Sequence, residues 1–228
     1  MKKTKIDWCD CTVNPVIGCP NGCEYCYARR INDRFHFVEK WSEPQFFPER
    51  LKQFECEIPK TVFIDSMSDA GRWEQEWFDE VMDVTQCNPQ HKYIVLTKRP
   101  YELMVKRNNY YMKRGNLLKN VFLGASITCQ MDIVNSPFIE YCDFLSIEPL
   151  LRKVNLPEWV RGKAVKLIII GAETGNRKGK VVPDARWVEN LVEQADDLGI
   201  KVFMKESLRK IVGEKSFRQD KDIWTIKK

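Results

Sequence analysis

Histidine is scarce in this sequence of 228 residues, which contains only two, His36 and His91. With so few imidazoles, the composition argues against a histidine-based catalytic triad and a histidine-rich metal site. No apolar run approaches the length needed to cross a membrane, and the basic residues 1–5 are not followed by the apolar segment of a signal peptide. These absences predict a cytoplasmic protein without a membrane partner.

Sequence repeats and low-complexity segments are also missing. The glycines within residues 171–175 lack the spacing of a dinucleotide fingerprint, which argues against Rossmann-type NAD binding. The length predicts one domain covering residues 1–228. A formal net charge of +5 is compatible with an anionic substrate, but by itself it does not indicate nucleic acid.

Cysteine is plentiful, with nine residues. An odd number without a secretion signal argues for a metal site and buried thiols rather than a disulfide framework. Cys19, Cys23 and Cys26 lie together in a loop, residues 18–28, whose glycines and proline supply turns. Thiolates at this spacing can surround one soft metal centre.

The candidate metal centres differ in the number of protein ligands that each one needs. A structural zinc site needs four protein ligands, so a zinc knuckle would have to be completed by Cys9, Cys11 or His36. A [4Fe–4S] cluster held by three cysteines leaves one iron open for a small molecule. A fourth cysteine ligand would instead close the cluster and indicate electron transfer or sensing. The sequence leaves these alternatives open.

Short runs of β-branched and aromatic residues alternate with helical patterns from residue 61 onward. The predicted strands cover residues 61–64, 92–96, 120–123, 143–147, 166–170 and 200–204. The predicted helices cover residues 29–41, 74–87, 101–114 and 184–198, with a short piece after Met131. With one strand before Cys19, about seven such units predict an α/β fold with a mainly parallel sheet, as a partial or open (β/α) barrel. The rival architecture is a doubly wound open sheet.

Polar and charged residues follow the predicted strands, where parallel barrels carry their active sites. Because these strand ends would meet at one mouth, we expect carboxylates and cations to converge there. The residues concerned are Asp69, Lys98, Glu148, Glu173 and Lys205.

The three cysteines, with an aromatic residue at Tyr25, resemble the cluster motif of the radical SAM superfamily. The wider pattern is closer to a phage-associated three-cysteine family of unknown function. The resemblance covers most of the chain, including residues 8–28, 66–69, 96–100, 145–151 and 171–175. It departs from that family at Cys9 and Cys11, and at Val13, where the family usually has an aromatic residue.

The resemblance implies a radical SAM barrel, with Cys19, Cys23 and Cys26 holding a [4Fe–4S] cluster. S-adenosylmethionine (SAM) would bind the open iron and yield a 5′-deoxyadenosyl radical that abstracts hydrogen from a substrate. The implied SAM-binding residues are Tyr25, Ser66, Ser68, Asp69, Ser126, Ser146 and Glu148. The implied catalytic or substrate-facing residues are Lys98, Glu173 and Lys205.

The implied partners are a reductant such as flavodoxin or ferredoxin and a small-molecule or nucleotide substrate, with a modified DNA base and nucleic acid as candidates. The alternative function is a zinc-stabilised α/β module that binds nucleic acid or a protein without redox chemistry.

Overall fold

Short strands and helices alternate along the chain, as the sequence pattern predicts. The computed structural model describes residues 2–115, 117–136 and 138–225. By its internal contacts the chain divides into two units, Met1–Phe122 and Leu123–Lys228, each described here by itself. Within the described residues, no helix is long and apolar enough to cross a membrane.

The first unit contains the cysteine loop. Its strands are β1 (Lys2–Lys3), β2 (Cys11–Val13), β3 (Val16–Ile17), β4 (Gln45–Phe46), β5 (Thr61–Ile64), β6 (Lys92–Thr97) and the first residues of β7 (Val121–Ile127). Its α-helices are α1 (Tyr27–Phe35), α2 (Gln75–Cys87) and α3 (Pro100–Arg114), with 3₁₀ turns at Pro48–Phe54 and Ala70–Arg72. The sheet order is β1-β2-β5-β6 and then β7, while β3 and β4 form a separate antiparallel pair.

The second unit continues the parallel pattern. The rest of β7 is followed by β8 (Phe144–Ile147), β9 (Leu167–Ile170) and β10 (Lys201–Met204), paired in that order. Its α-helices are α4 (Gln130–Val134), α5 (Ala185–Leu198) and α6 (Arg209–Val212). All four residues of β9 are fully buried, which is typical of a parallel strand covered on both faces.

Seven strands, β2 and β5 to β10, belong to the parallel part of the sheet, and only β1 pairs antiparallel. This confirms the prediction of an α/β fold with a mainly parallel sheet of about seven units. The strand order has two ends, and no ladder among the described residues closes it. A closed barrel is therefore not found.

Two predicted boundaries were wrong. Helix α1 ends at Phe35 rather than at residue 41, because His36 adopts a left-handed conformation with φ of 51°. Strand β7 continues to Ile127 rather than ending at residue 123. Gly124 was interpreted as the end of the strand, but a Cβ there would lie 2.2 Å from the Phe144 ring. This glycine permits close packing inside the strand, so Ser126 lies within β7 and not in a loop after it.

The predicted ends of α5 are confirmed. Asp184 is the N-cap and its side chain accepts a hydrogen bond from Arg186 N at 2.9 Å. Gly199 ends the helix with φ of 68°, a conformation that favours glycine.

Candidate metal centre

The cysteine loop begins at a tightly held turn. Gly18 has φ of 109°, and its amide donates to Met67 O at 3.1 Å. A Cβ at Gly18 would lie 2.9 Å from Trp41 O, so glycine is needed both for the conformation and for the space. The next amide, of Cys19, donates to the same Trp41 carbonyl at 2.6 Å. The backbone therefore fixes where the first cysteine starts.

The three thiols of the loop are partly buried and electrostatically coupled. Cys19, Cys23 and Cys26 are half-buried and form no disulfide. Burial, with smaller contributions from Asp69 and the other two cysteines, raises the pKa of Cys19 to about 12. A thiol with a pKa this high, as at Cys19, stays protonated at neutral pH until a metal takes the place of the proton.

Cys26 also begins helix α1. It occupies the N-cap position, and its Sγ accepts a hydrogen bond from Arg29 N at 3.3 Å. Burial raises the pKa of Cys26, while the backbone N–H groups of the helix start oppose that rise. The positive end of the helix thus favours negative charge on this sulfur, whether carried by a thiolate or by a metal–thiolate centre.

Asp69 links the loop to the ends of the neighbouring strands. Its Oδ2 accepts from Asn21 Nδ2 at 2.7 Å and from Lys98 N at 2.9 Å. Its Oδ1 accepts from Gly71 N at 3.0 Å and from the Thr97 hydroxyl. These four hydrogen bonds use the acceptor capacity of the buried carboxylate. Asp69 therefore joins the segment between two cysteines to the end of β6.

The Asn21 side chain is hydrogen-bonded through both its amide nitrogen and its amide oxygen. While its amide nitrogen donates to Asp69, its Oδ1 accepts from Arg72 Nε at 3.2 Å. This role is not predicted from the sequence, because Asn21 stands in a Pro-Asn-Gly stretch that is typical of an ordinary turn. The available signal was its position between Cys19 and Cys23 together with the carboxylate predicted at Asp69.

Lys98 brings a positive charge to the loop. Its Nζ lies 5.4 Å from the centre of the Tyr25 ring. Burial lowers the pKa of Lys98, but Tyr25, Cys23 and Asp69 together outweigh that effect and raise it. Lys98 thus stays protonated beside the Cys23 side chain. The structure brings together Tyr25, Asp69 and Lys98 with the cysteines, as residues of one site in the first unit.

Ser66 and Ser68 follow β5 and hold the surrounding loop. The Ser66 hydroxyl donates to Asn14 Oδ1 at 3.1 Å, and its backbone amide donates to the same oxygen at 2.8 Å. The Ser68 hydroxyl accepts from Trp73 Nε1 at 2.6 Å. Ser66 keeps unused acceptor capacity on its oxygen, since donation leaves the lone pairs available.

The remaining predicted residues lie in the second unit. Ser126 in β7 is the register partner of Ser146 in β8, whose buried hydroxyl has no hydrogen-bond partner among the described residues. Lys205 Nζ lies 2.9 Å from Glu148 Oε2 in an ion pair at the ends of β10 and β8. A Cβ at Gly171 would come within 2.8 Å of that Glu148 oxygen, so the glycine makes room for the pair.

Glu173 forms an ion pair with Arg177. Its two carboxylate oxygens accept from Arg177 Nε at 2.6 Å and Nη2 at 2.8 Å, and Val181 N donates to it at 3.3 Å. The Arg177 hydrogen bonds hold the pKa of Glu173 below its usual range. The predicted substrate-facing carboxylate is therefore a buried, paired one, and it stabilises the loop after β9.

No set of three or more histidine, cysteine, aspartate or glutamate side chains within the described residues stands in a metal-binding arrangement.

The fold and site define an α/β protein with a mainly parallel sheet and a three-cysteine loop. The profile of the family described as "Protein of unknown function (DUF5131)" matches residues 3–220, and the chain belongs to this family. Neither the curated proteins nor the solved structures contain a match to the chain.

Proposed function

We propose that the protein is a radical SAM enzyme whose Cys19, Cys23 and Cys26 hold a [4Fe–4S] cluster. The observation that carries the proposal is the arrangement around the cysteine loop. A buried carboxylate ties the loop to the end of β6 through Asn21, and a half-buried cation, Lys98, interacts electrostatically with Cys23. The loop carries three soft thiols near a compensating charge, and these thiols would have to move together to hold a cluster, since they do not stand in a metal-binding arrangement in the structure.

The donor set fits a cluster with one open iron better than it fits zinc. A zinc site needs a fourth protein ligand. His36 is the C-cap of α1 while Cys26 is its N-cap, which separates them by about 15 Å along the helix axis. His36 is therefore out of reach of a metal held by Cys26.

Cys11 is also poorly placed as a fourth ligand. It is opposite Val62 at the starting end of the β2–β5 pair, whereas the Asp65–Asp69 loop follows the other end of β5. Burial is the main cause of the raised pKa of Cys11, and the charged groups that also act on it include Asp10, Lys60 and Cys56, which lie outside the cysteine loop. Of the three candidate fourth ligands, Cys9 remains, and its variant decides between an open and a closed site.

The chemistry supplied by the bound cofactors would be reductive cleavage of SAM to a 5′-deoxyadenosyl radical, followed by hydrogen abstraction from the substrate. The protein's own residues would hold the cluster and compensate its charge. Lys98 would offset the negative charge of three thiolates, and the Tyr25 ring lies 5.4 Å from its ammonium group. Because Asp69 is saturated with hydrogen bonds, we assign it to holding the loop.

The acceptor for the SAM amino group is then better supplied by Ser66, whose hydroxyl oxygen keeps acceptor capacity. The proposed contributions of Ser68, Ser126, Ser146 and Glu148 to SAM binding, and of Glu173 and Lys205 to the substrate, stay predictions. The proposed substrate class, a small molecule or nucleotide, likewise rests on the resemblance in sequence.

Iron and sulfide analysis of cysteine variants tests the proposal. After anaerobic reconstitution, the wild type should hold about four irons and four sulfides per chain. Cys19→Ser, Cys23→Ser and Cys26→Ser should each lose most of the iron. Cys11→Ser and Cys87→Ser are matched controls outside the loop and should keep it.

Two results would contradict the proposal. Binding of about one zinc and no iron would support the zinc-stabilised module instead. Loss of the cluster in Cys9→Ser or Cys11→Ser would indicate a closed site that serves electron transfer or sensing.

A further inference from the structure

A cavity of about 490 Å³ opens on the surface of the second unit. Its volume lies in the range of sites that bind small molecules. None of the site residues predicted from the sequence is among the described residues that line it. Most of its lining is apolar or aromatic, with one acidic residue, and includes Ile133, Val134, Phe138, Glu140, Pro157 and Trp159.

The walls of the cavity are joined by hydrogen bonds. One wall is α4, and the opposite side includes the 3₁₀ turn at Glu158–Val160. The side-chain oxygen of Gln130, in α4, accepts from Asn155 N at 2.7 Å. Ala164 N donates to the Glu140 carbonyl at 3.3 Å. Because these bonds cross between the segments on either side, the cavity is a feature of the fold and not a gap between loose loops.

Two aromatic rings of the cavity stay accessible to a ligand. Phe138 and Trp159 are 38% and 43% exposed, although each directly precedes a buried residue, Ile139 and Val160. Phe138 has φ of 75°, a conformation that is unfavourable for a bulky side chain. Its ring packs against Tyr141, with 5.9 Å between the ring centres. The anchored neighbours therefore hold both rings at the cavity instead of in the core.

Glu140 gives the cavity its charge. It is half-buried and is the only charged residue among the described residues of the lining. Its carboxylate forms no hydrogen bond or ion pair within the described part of the chain. The neighbouring acidic groups differ, since Glu158 pairs with Arg161 and Asp132 caps α4. The cavity thus combines a carboxylate that lacks a partner with two accessible aromatic rings.

We infer that this cavity binds a small organic cation of the alkylammonium class. The faces of aromatic rings attract a positive charge, and a nearby carboxylate adds a direct electrostatic attraction. Ile133, Val134 and Pro157 supply contacts for the apolar groups on the ammonium nitrogen. The inference concerns the second unit alone and goes beyond the proposed function, since it does not depend on the cysteine loop.

The lining disfavours two other kinds of ligand. A phosphate or another anion would be repelled by Glu140, and no cation among the described lining residues offsets that repulsion. A hydrated metal ion needs several oxygen ligands, and no metal-binding group of acidic, cysteine or histidine side chains is found among the described residues.

The test compares choline with its neutral isostere, in which a tert-butyl group replaces the trimethylammonium group. Binding of both compounds is measured by ligand-observed NMR titration at constant ionic strength, after urea unfolding has shown that each variant is folded. Glu140→Gln removes the charge at nearly constant shape, and Glu189→Gln makes the same change at an exposed position of α5. Trp159→Ala removes a ring, and Trp159→Phe keeps one.

The wild type should bind choline about tenfold more tightly than the neutral isostere. Glu140→Gln should remove most of this preference, while Glu189→Gln should keep it. Trp159→Ala should weaken choline binding several-fold, and Trp159→Phe should restore most of the loss.

Three results would overturn the inference. The wild type could fail to bind choline, or it could bind the neutral isostere equally well, which would show a merely apolar cavity. Choline affinity unchanged in both Glu140→Gln and Trp159→Ala would place the bound cation elsewhere on the protein. Iron content is a separate readout, so each of these results leaves the proposed function to its own test.

Discussion

The side-chain amide of Asn21 donates to the buried carboxylate of Asp69 at 2.7 Å, which ties the middle of the cysteine loop to the end of a parallel strand. Asp69 in turn accepts from the backbone amide of Lys98 at 2.9 Å. One carboxylate thereby sets the position of the cysteine loop and of the Lys98 backbone.

Asn21→Ala should weaken the cluster more than the fold. The variant removes the hydrogen bonds to Asp69 and Arg72 from a half-buried residue, a loss of about 1–2 kcal/mol in the free energy of unfolding. Because the loop between Cys19 and Cys23 is then unsupported, iron should leave several times faster under chelator challenge. Asn109→Ala, which removes an exposed side-chain hydrogen bond to Gln75, is the control. Equal iron loss from the two variants would contradict the role of Asn21.

Lys98→Met should make the bound cluster harder to reduce. Removing a half-buried positive charge that interacts with Cys23 destabilises the extra negative charge of the reduced state. Redox titration of the reconstituted protein should show a lower midpoint potential for Lys98→Met, and Lys98→Arg should restore most of the difference. A potential unchanged by Lys98→Met would place the lysine outside the electrostatic reach of the centre.

Gly171→Ala should destabilise the protein through the Glu148–Lys205 pair. The new methyl group would lie 2.8 Å from Glu148 Oε2 and 3.0 Å from Lys205 Cδ, so the pair must separate or shift. We expect a loss of about 1–3 kcal/mol in urea unfolding.

A double-mutant cycle identifies the cause of that loss. In a Glu148→Ala background the crowding carboxylate is gone, so adding Gly171→Ala should cost much less. An unchanged cost in both backgrounds would show that the glycine acts through some other contact.

Asp65 should make stability depend on pH. Burial raises the pKa of this carboxyl to about 7, although hydrogen bonds from Ser68, Met67 N and Val16 N oppose the rise. In the unfolded chain its pKa is about 3.9. Between these values the folded state holds a proton that the unfolded state has lost, so the free energy of unfolding falls as the pH rises from about 4 to about 7.

Urea unfolding between pH 4.5 and pH 7.5 checks this slope. Asp65→Asn should flatten it, whatever its effect on absolute stability. Asp83→Asn is the control, because the Arg114 hydrogen bonds hold the pKa of Asp83 below its usual range and its titration lies at more acidic pH. A wild-type slope that survives in Asp65→Asn would assign the pH dependence to another group.

The strands could be predicted because their burial leaves a direct trace in the sequence. Runs such as 61–64 and 166–170 are continuous apolar segments between polar ones, and β5 and β9 occupy nearly the same residues. The ends of α5 were readable for a similar reason, since Asp184 and Gly199 act through local backbone geometry. Features that depend on neighbouring residues, such as helix caps and apolar strands, can therefore be predicted from the sequence.

The failures came from side-chain contacts that periodicity and propensity do not report. Gly124 ends a strand by its propensity, but it lies inside β7 because the Phe144 ring packs against it. Ile31 and Phe35 have the spacing of a buried helix face, yet they are exposed, because α1 is anchored instead through Asn32 and its bonds to Val38.

The residue types of the candidate site could be predicted from the sequence, but the hydrogen bonds and ion pairs among them could not. The cysteine spacing and the charged strand ends are visible in the sequence. That Asp69 would pair with Asn21 rather than point freely into a cavity depends on a contact across 48 residues. The same holds for Glu148 and Lys205, which were predicted separately and form one ion pair.

The most direct test of the proposed function is electron paramagnetic resonance of the anaerobically reconstituted, dithionite-reduced protein, recorded with and without SAM. The account predicts a [4Fe–4S]⁺ signal that shifts when SAM is added, because SAM binds the iron that the three cysteines leave open. A cluster signal that is indifferent to SAM, or the absence of any iron signal, would contradict it.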